Sequence, residues 1–354
     1  MSLQFLPYTE AAVPAVREFN QRLLAGGVPA DQQFPETPDP GWMPDMELFL
    51  AVEGSTVRGG YILRRQDFCV GGGSVPVAHY RLPLSEGIVN RSYATLGLSM
   101  VRDALAREPR LYALGMGGWE KPLPQMLKRL RWKMWEVPFH FKVVHPVRFL
   151  HHIRVIRTSH LRRAALDAAA FTGAGWLGMK ALGLTRRLPS GPYTLEPGFF
   201  PWADQVWGRS QREYALLAQR DAATLEQLYP SSDPRFLRVH AVGGWALLLD
   251  TQMENHKQFG DMRVGTIVDC LAPPESATDV MRAAASLLEQ RGVDLIVSNQ
   301  LHAAWSRALL DSGFRNGPSN YLFALSPALA AVAAGANHDQ FHINRGDGDG
   351  PIHL

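Results

Sequence analysis

The chain has 354 residues, of which 46% are hydrophobic and 19% charged, so it can build a sizeable core and is not a disordered protein. Its length predicts two domains, and a net charge of +3 is too small to imply nucleic-acid binding, so no DNA partner is expected. Two cysteines far apart, Cys69 and Cys270, exclude a disulfide framework and a cysteine-based zinc site and suit a reducing, cytoplasmic setting.

The N-terminus, MSLQFLPYTE, has neither a basic region nor a long apolar run and does not read as a secretory signal. A short strand is expected at Gln4–Pro7. Val13, Val16, Phe19 and Leu23 then recur at helical spacing. Residues 29–44 are too rich in proline for a helix or central strand. Glu47–Val52 and Gly59–Arg65 read as strands around Glu53-Gly54-Ser55, and Gly71-Gly72-Gly73 turns the chain into a strand at Val75–Leu84. A loop, Ser85–Asn90, leads to a helix from Ser92 to Ala106. A strand at Leu111–Gly115, a helix at Pro122–Leu130 and a strand at Val137–Val144 complete the first half.

Ala164–Leu184 is rich in Ala, Gly and Leu and flanked by Arg162, Arg163, Arg186 and Arg187, a stretch of 162–187 in all. Asp167 and Lys180 argue against a membrane span and for a soluble helical linker. The basic flanks leave open a weak association with an anionic membrane surface.

The second half repeats the order of the first. Pro192–Glu196 is a possible strand, and Trp202–Ala218 and Ala222–Tyr229 read as helices. Phe236–Ala241, Trp245–Thr251 and Arg263–Leu271 are strands. Then come a helix at Thr278–Gln290, a strand at Leu295–Ser298, a helix at Ala303–Leu310 and a strand at Tyr321–Leu325. The offset of roughly 185 residues points to two copies of one domain. The expected division is 1–150, a helical linker at 151–190, and 191–354. The expected class is α+β, each copy a mostly antiparallel mixed sheet flanked by helices.

The stretch from Ile296 to Phe314, with Asn299 after a strand, Ala303 and Ala304 on a helix and then Gly313-Phe314, resembles the GCN5-related N-acetyltransferase (GNAT) family. Leu111–Trp132 fills the same place in the first half, with Arg131-Trp132 standing for Gly-Phe. The whole chain resembles tandem GNAT proteins associated with bacterial exopolysaccharides, and more distantly FemAB-type transferases. The resemblance implies an acyl-CoA-dependent N- or O-acyltransferase using acetyl-CoA or another acyl-CoA as co-substrate, with a small-molecule or sugar-type acceptor. A non-catalytic scaffold in envelope assembly and an aminoacyl-tRNA-dependent transferase are the alternatives.

Acyl-CoA chemistry needs a pyrophosphate site, which a helix start supplies through free N–H groups and its positive dipole end. The family's loop after its fourth strand corresponds to Arg91–Leu96. Arg91 matches the family pattern and Ala94 replaces a glycine. Gly87, Asn90 and Ser92 complete the expected cofactor-binding set. Asn90 or Ser92 can equally cap a helix. The second half offers Ala272–Thr278, with Glu275, no glycine and two prolines that lack N–H donors, so no second pyrophosphate site is expected. Glu86, at the end of the fourth strand, is the candidate general base and Tyr93 a substitute acid. The family's acid tyrosine position holds Leu309 and, in the first half, Leu127. Asn299 is a catalytic candidate that also suits helix capping. His140, His145, His151 and His152, and His338, His342 and His353, lack metal-site spacing, so no metal is expected. The resemblance also implies a last sheet strand at Gln340–Asn344, with Asp347 and Asp349 near the cleft or in solvent.

Overall fold

The computed structural model describes residues 3–41, 45–154 and 189–348. In chain order the described strands are β1 (Leu3–Pro7), β2 (Met46–Glu53), β3 (Thr56–Val70), β4 (Gly73–Ser85), β5 (Leu111–Gly115), β6 (Lys133–Glu136), β7 (Phe139–Val143), β8 (Tyr193–Glu196), β9 (Leu216–Ala218), β10 (Leu237–Ala241), β11 (Gly244–Gln252), β12 (Arg263–Leu271), β13 (Leu295–Asn299), β14 (Arg315–Gly317), β15 (Leu322–Leu325) and β16 (Phe341–His342). The helices used below are α1 (Val13–Ala25), α2 (Leu96–Arg107), α3 (Pro122–Arg129), α4 (Pro146–His152), α5 (Pro201–Ser210), α6 (Ala222–Leu228), α7 (Ala277–Gln290), α8 (Ala303–Asp311) and α9 (Pro327–Val332).

The chain forms two compact units, residues 1–135 with 322–335, and residues 136–321 with 336–354. This division differs from a cut at 150 and 191 because the two halves of the sequence exchange a strand. In the first unit the strand order is β1-β2-β3-β4-β5-β15-β6. In the second it is β8-β10-β11-β12-β13-β7-β14. Each sheet therefore takes its sixth strand from the opposite half of the sequence. The expected strand at Val137–Val144 is real, but it pairs with β13 from Leu295↔Val143 to Asn299↔Phe139. The expected linker and surface helix at 162–187, and Asp349, lie outside the described residues.

Local chemistry explains the exchange. Only Val137 and Pro138 separate β6 from β7. A two-residue hairpin needs positive φ, which proline cannot adopt and a β-branched residue resists. The chain cannot fold β7 back on β6 and continues into the other sheet. Gly71 and Gly72, by contrast, join β3 to β4 at φ 58° and 87°, as a tight hairpin requires.

Helix packing follows the apolar spacing. Helix α1 buries Val16, Phe19 and Leu23 against Leu48, Leu50 and Ile62. Its buried Asn20 donates to the Phe34 carbonyl at 2.8 Å and accepts from the Phe34 amide at 3.0 Å, pinning the proline-rich loop to the helix. Helix α2 buries Leu96, Met100, Val101 and Ala104, and begins later than expected because Glu86–Ile88 and Arg91–Tyr93 form separate 3₁₀ turns before it. In the second unit α7 buries Val280, Ala284, Leu287 and Leu288. The expected helix Trp202–Ala218 is shorter, ending at Ser210, and Leu216–Ala218 is a strand paired with β16.

The fourth strand of each unit is bulged. Between Gly60↔Leu84 and Ile62↔Arg81, β4 fits Leu82 and Pro83 opposite the single residue Tyr61, with Leu82 at φ 44°. Between Leu247↔Asp269 and Leu248↔Ile267, β12 carries Val268 as an extra residue. Proline is tolerated at a bulge because no ladder hydrogen bond is asked of it. Near each bulge the parallel neighbour departs. β4 and β5 pair only at Ala78↔Leu111 and His79↔Tyr112. β12 and β13 pair from Val264↔Leu295 to Ile267↔Ser298. Each unit thus contains a fork opening toward the C-terminal ends of its parallel strands.

The exchanged strand β15 is fastened beside β5 by buried Ser326. Its hydroxyl accepts from the Leu111 amide at 3.0 Å and donates to the Pro109 carbonyl at 2.7 Å. We expect Ser326→Ala to lower unfolding free energy by about 1–3 kcal/mol, because it leaves the buried Leu111 amide without its partner. Urea denaturation of the full chain measures it.

Candidate functional site

Below the first unit's fork, β4 ends in two 3₁₀ turns that hold most of the sequence candidates. Ser85 and Asn90 cap them, accepting from Gly87 N–H and Ser92 N–H at 3.1 Å each. Asn90 is thus the capping residue of its turn. Gly87 is required by closeness, since a Cβ there would overlap the Tyr93 carbonyl oxygen. Arg91 and Ser92 are exposed. Ala94 ends the second turn at φ −56°, and its own N–H bonds to the Arg91 carbonyl. The turns therefore present an exposed cation beside a tightly folded backbone.

Glu86 is buried and wholly engaged. Oε2 accepts from Arg22 Nε and Nη2 at 3.3 Å each, and both oxygens accept from Arg58 Nη1, at 3.1 and 3.2 Å. Arg58 also donates Nε to Glu53 at 3.2 Å. Tyr93 donates its hydroxyl to the same Glu53 oxygen at 2.7 Å and lies with its ring 4.7 Å from the Arg58 guanidinium. The hydrogen bond to Glu53 raises the Tyr93 pKa and lowers that of Glu53. Burial opposes the charge of Arg58, but Glu86 and Glu53 outweigh it and its pKa is raised. Tyr93 is thereby a weaker acid than a free phenol.

Asn299, the third catalytic candidate, belongs to the second unit and ends β13. It accepts from Arg345 Nη1 at 3.2 Å and donates to the Pro138 carbonyl at 3.4 Å. Capping of α8 falls instead to His302, whose Nδ1 accepts from the Ala304 amide at 3.1 Å. Leu127 and Leu309 are fully buried core residues. Among the described residues, no group of three or more His, Cys, Asp or Glu is arranged to hold a metal ion, and no helix is long and apolar enough to cross a membrane.

Sequence reasoning missed the partners that make these residues what they are. Arg22 lies on the last turn of α1 and Arg58 just after a hairpin, positions where an arginine ordinarily faces water. It also missed Asp269, Arg220 and Tyr229 in the second unit. Asp269 interrupts the apolar run of β12, and that interruption is the one signal that could have announced a buried charge pair.

No known family profile matches the sequence, and no curated protein matches it. Solved structures do match. Yeast (Saccharomyces cerevisiae) N-myristoyltransferase with bound myristoyl-CoA aligns over 92% of this chain and 79% of its own at a TM-score of 0.54 and 9% identity. A second structure of that enzyme, with myristoyl-CoA and inhibitors, aligns over 97% and 84% at 0.52 and 12%. A conserved Enterococcus faecalis protein, described as a probable N-acyltransferase, aligns over 94% and 74% at 0.52 and 8%. The chain has the GNAT fold. At such identities the likeness concerns the fold, two mixed sheets flanked by helices, and the residues of each fork have to be read on their own chemistry.

Two outcomes follow. Burial pulls the pKa of His302 down to about 4. Below its ordinary value of 6.5 the unfolded chain takes up a proton that the folded chain refuses, so stability is lost as pH falls from 6.5 toward 4. His302→Asn keeps a capping acceptor without the titration. Its unfolding free energy should fall by about 2 kcal/mol less than that of the wild type between pH 7 and 4.5. Gly87→Ala should displace the turns. Hydrogen exchange at residues 86–94 should accelerate at least roughly 10-fold while that of β3 stays unchanged.

Proposed function

We propose that the protein is an acyl-CoA-dependent acyltransferase whose donor is bound by the first unit. The observation that carries this is the fork between β4 and β5, which no other strand occupies among the described residues. It has a bulge at one edge and, below it, the capped turns with Arg91. A bulge releases backbone groups from the ladder, and an amide so released, here that of Leu82 and not of Pro83, can stabilise the oxyanion of a tetrahedral intermediate. An exposed arginine beside a helix start suits a pyrophosphate. In this reading Arg91 meets the donor, and Gly87, Asn90, Ser92 and Ala94, whose amides bond within the turns, hold the loop that presents it.

The acceptor is a small molecule, of sugar type in the narrower reading, carrying an amine or hydroxyl. Its nitrogen or oxygen bonds to the acyl carbon, the carbon–sulfur bond breaks, and the acceptor proton ends on the departing thiolate. Glu86 is a positioning residue here, since its two arginines hold α1 and β3 to the start of the donor turns. Tyr93 fixes the turn through Glu53.

Calorimetric titration with acetyl-CoA and longer acyl-CoAs tests the proposal. Arg91→Glu should weaken binding at least 10-fold, and Glu275→Ala should leave it unchanged. Equal losses from both would remove the donor site from the first unit. An absence of binding by the wild type would favour a non-catalytic scaffold. Glu86→Gln should lower thermal stability and raise the donor KM, with kcat changed by less than about 10-fold. A loss of kcat of about 10²–10⁴ in a normally folded variant would make Glu86 the general base.

A further inference from the structure

We propose that residues 341–348 are a resident occupant of the second unit's fork, which closes it to a donor and leaves one donor site per chain. The inference rests on the reading of the fork as the place where a donor binds. The two arms part beyond Ile267↔Ser298, and the C-terminal segment touches both of them. On one side Asn344 forms an antiparallel bridge with Gln300, and the Leu301 amide donates to the Ile343 carbonyl at 3.0 Å. On the other side Asn344 Nδ2 donates to Asp269 Oδ1 at 2.9 Å. Just upstream, β16 pairs in parallel with β9.

The segment is latched by buried charge. Arg220 pairs with Asp269 at 2.8 Å and with Asp347 at 2.7 Å, and all three side chains are at most 1% exposed. One guanidinium serves two carboxylates, so other donors share the load. Tyr229 donates to Asp269 at 2.7 Å, the Cys270 amide at 2.8 Å, and the Asn344 amide to Asp347 at 2.9 Å. Gly346 supplies the clearance. A Cβ there would stand 2.5 Å from the Tyr229 hydroxyl and 2.6 Å from Asp269 Oδ2. A carboxylate on each side of one arginine, reached only through a glycine, is a fitted dock for this segment of chain. The fork is filled by that dock where a thioester arm would have to pass.

The test uses the full chain. Native-state hydrogen exchange in increasing urea should open residues 341–347 at lower denaturant than β11 and β12. Asp347→Asn and Gly346→Val should each speed exchange of 341–347 at least roughly 10-fold while β11 keeps its protection. Titration of the wild type should saturate at one acyl-CoA per chain. Two acyl-CoA per chain would overturn the proposal, as would exchange of the segment together with β12 at every urea concentration. If no acyl-CoA binds at all, the acyltransferase reading fails on its own. The exchange order then still decides whether the segment is a separable occupant or part of the sheet.

Discussion

The fork between two parallel strands is the constraint around which the rest is arranged. A bulge adds a residue to one strand and increases its twist, so a parallel neighbour cannot follow it for long. In the first unit the bulge at Leu82-Pro83 leaves β4 and β5 with two paired positions. In the second, Val268 has the same effect on β12 and β13 after four. What each unit does next differs, and the difference lies in the residues below the split. One has glycine, Asn90 and an exposed arginine. The other has two prolines and a buried aspartate that needs a partner.

A fork exposes backbone groups that must find other partners or water. The second unit meets that requirement from within the chain, at the cost of burying three charges. Buried ion pairs contribute little net stability over an apolar filling, but they tolerate few alternatives in geometry. Arg220, Asp269 and Asp347 therefore act as a register device that allows residues 341–348 one seat.

The exchange of β7 and β15 ties each sheet to the distant half of the sequence. Pairs such as Leu325↔Tyr112 and Leu295↔Val143 close long loops, which favours slow folding and makes the two sheets depend on one another's synthesis. Ionic contacts in the first unit work over a shorter range. Arg22, Glu86, Arg58, Glu53 and Tyr93 bring together α1, the β2–β3 hairpin and the 3₁₀ turns after β4, so a change at any member is felt at the others.

Local pattern alone carried the α+β class, the two mixed sheets and most of the strands and helices, but not β6, β9, β14, α4 or α9. Hydrophobic spacing and turn chemistry are local properties, and α1, α2, the Gly71-Gly72 hairpin and α7 obey them. It also marked the turn Glu86–Ala94 as a place of interest. Packing across the chain settled which sheet β7 and β15 join, because an apolar strand carries no address beyond what its turns forbid. It decided that Leu216–Ala218 leaves the helix expected there, since its partner at Phe341–His342 is far away in sequence. It decided as well that Glu86 is held by two arginines and that Asp347 is buried against Arg220 rather than in solvent. A carboxylate's role is set by the charges brought to it from other elements, and their arrival depends on packing that no local pattern records.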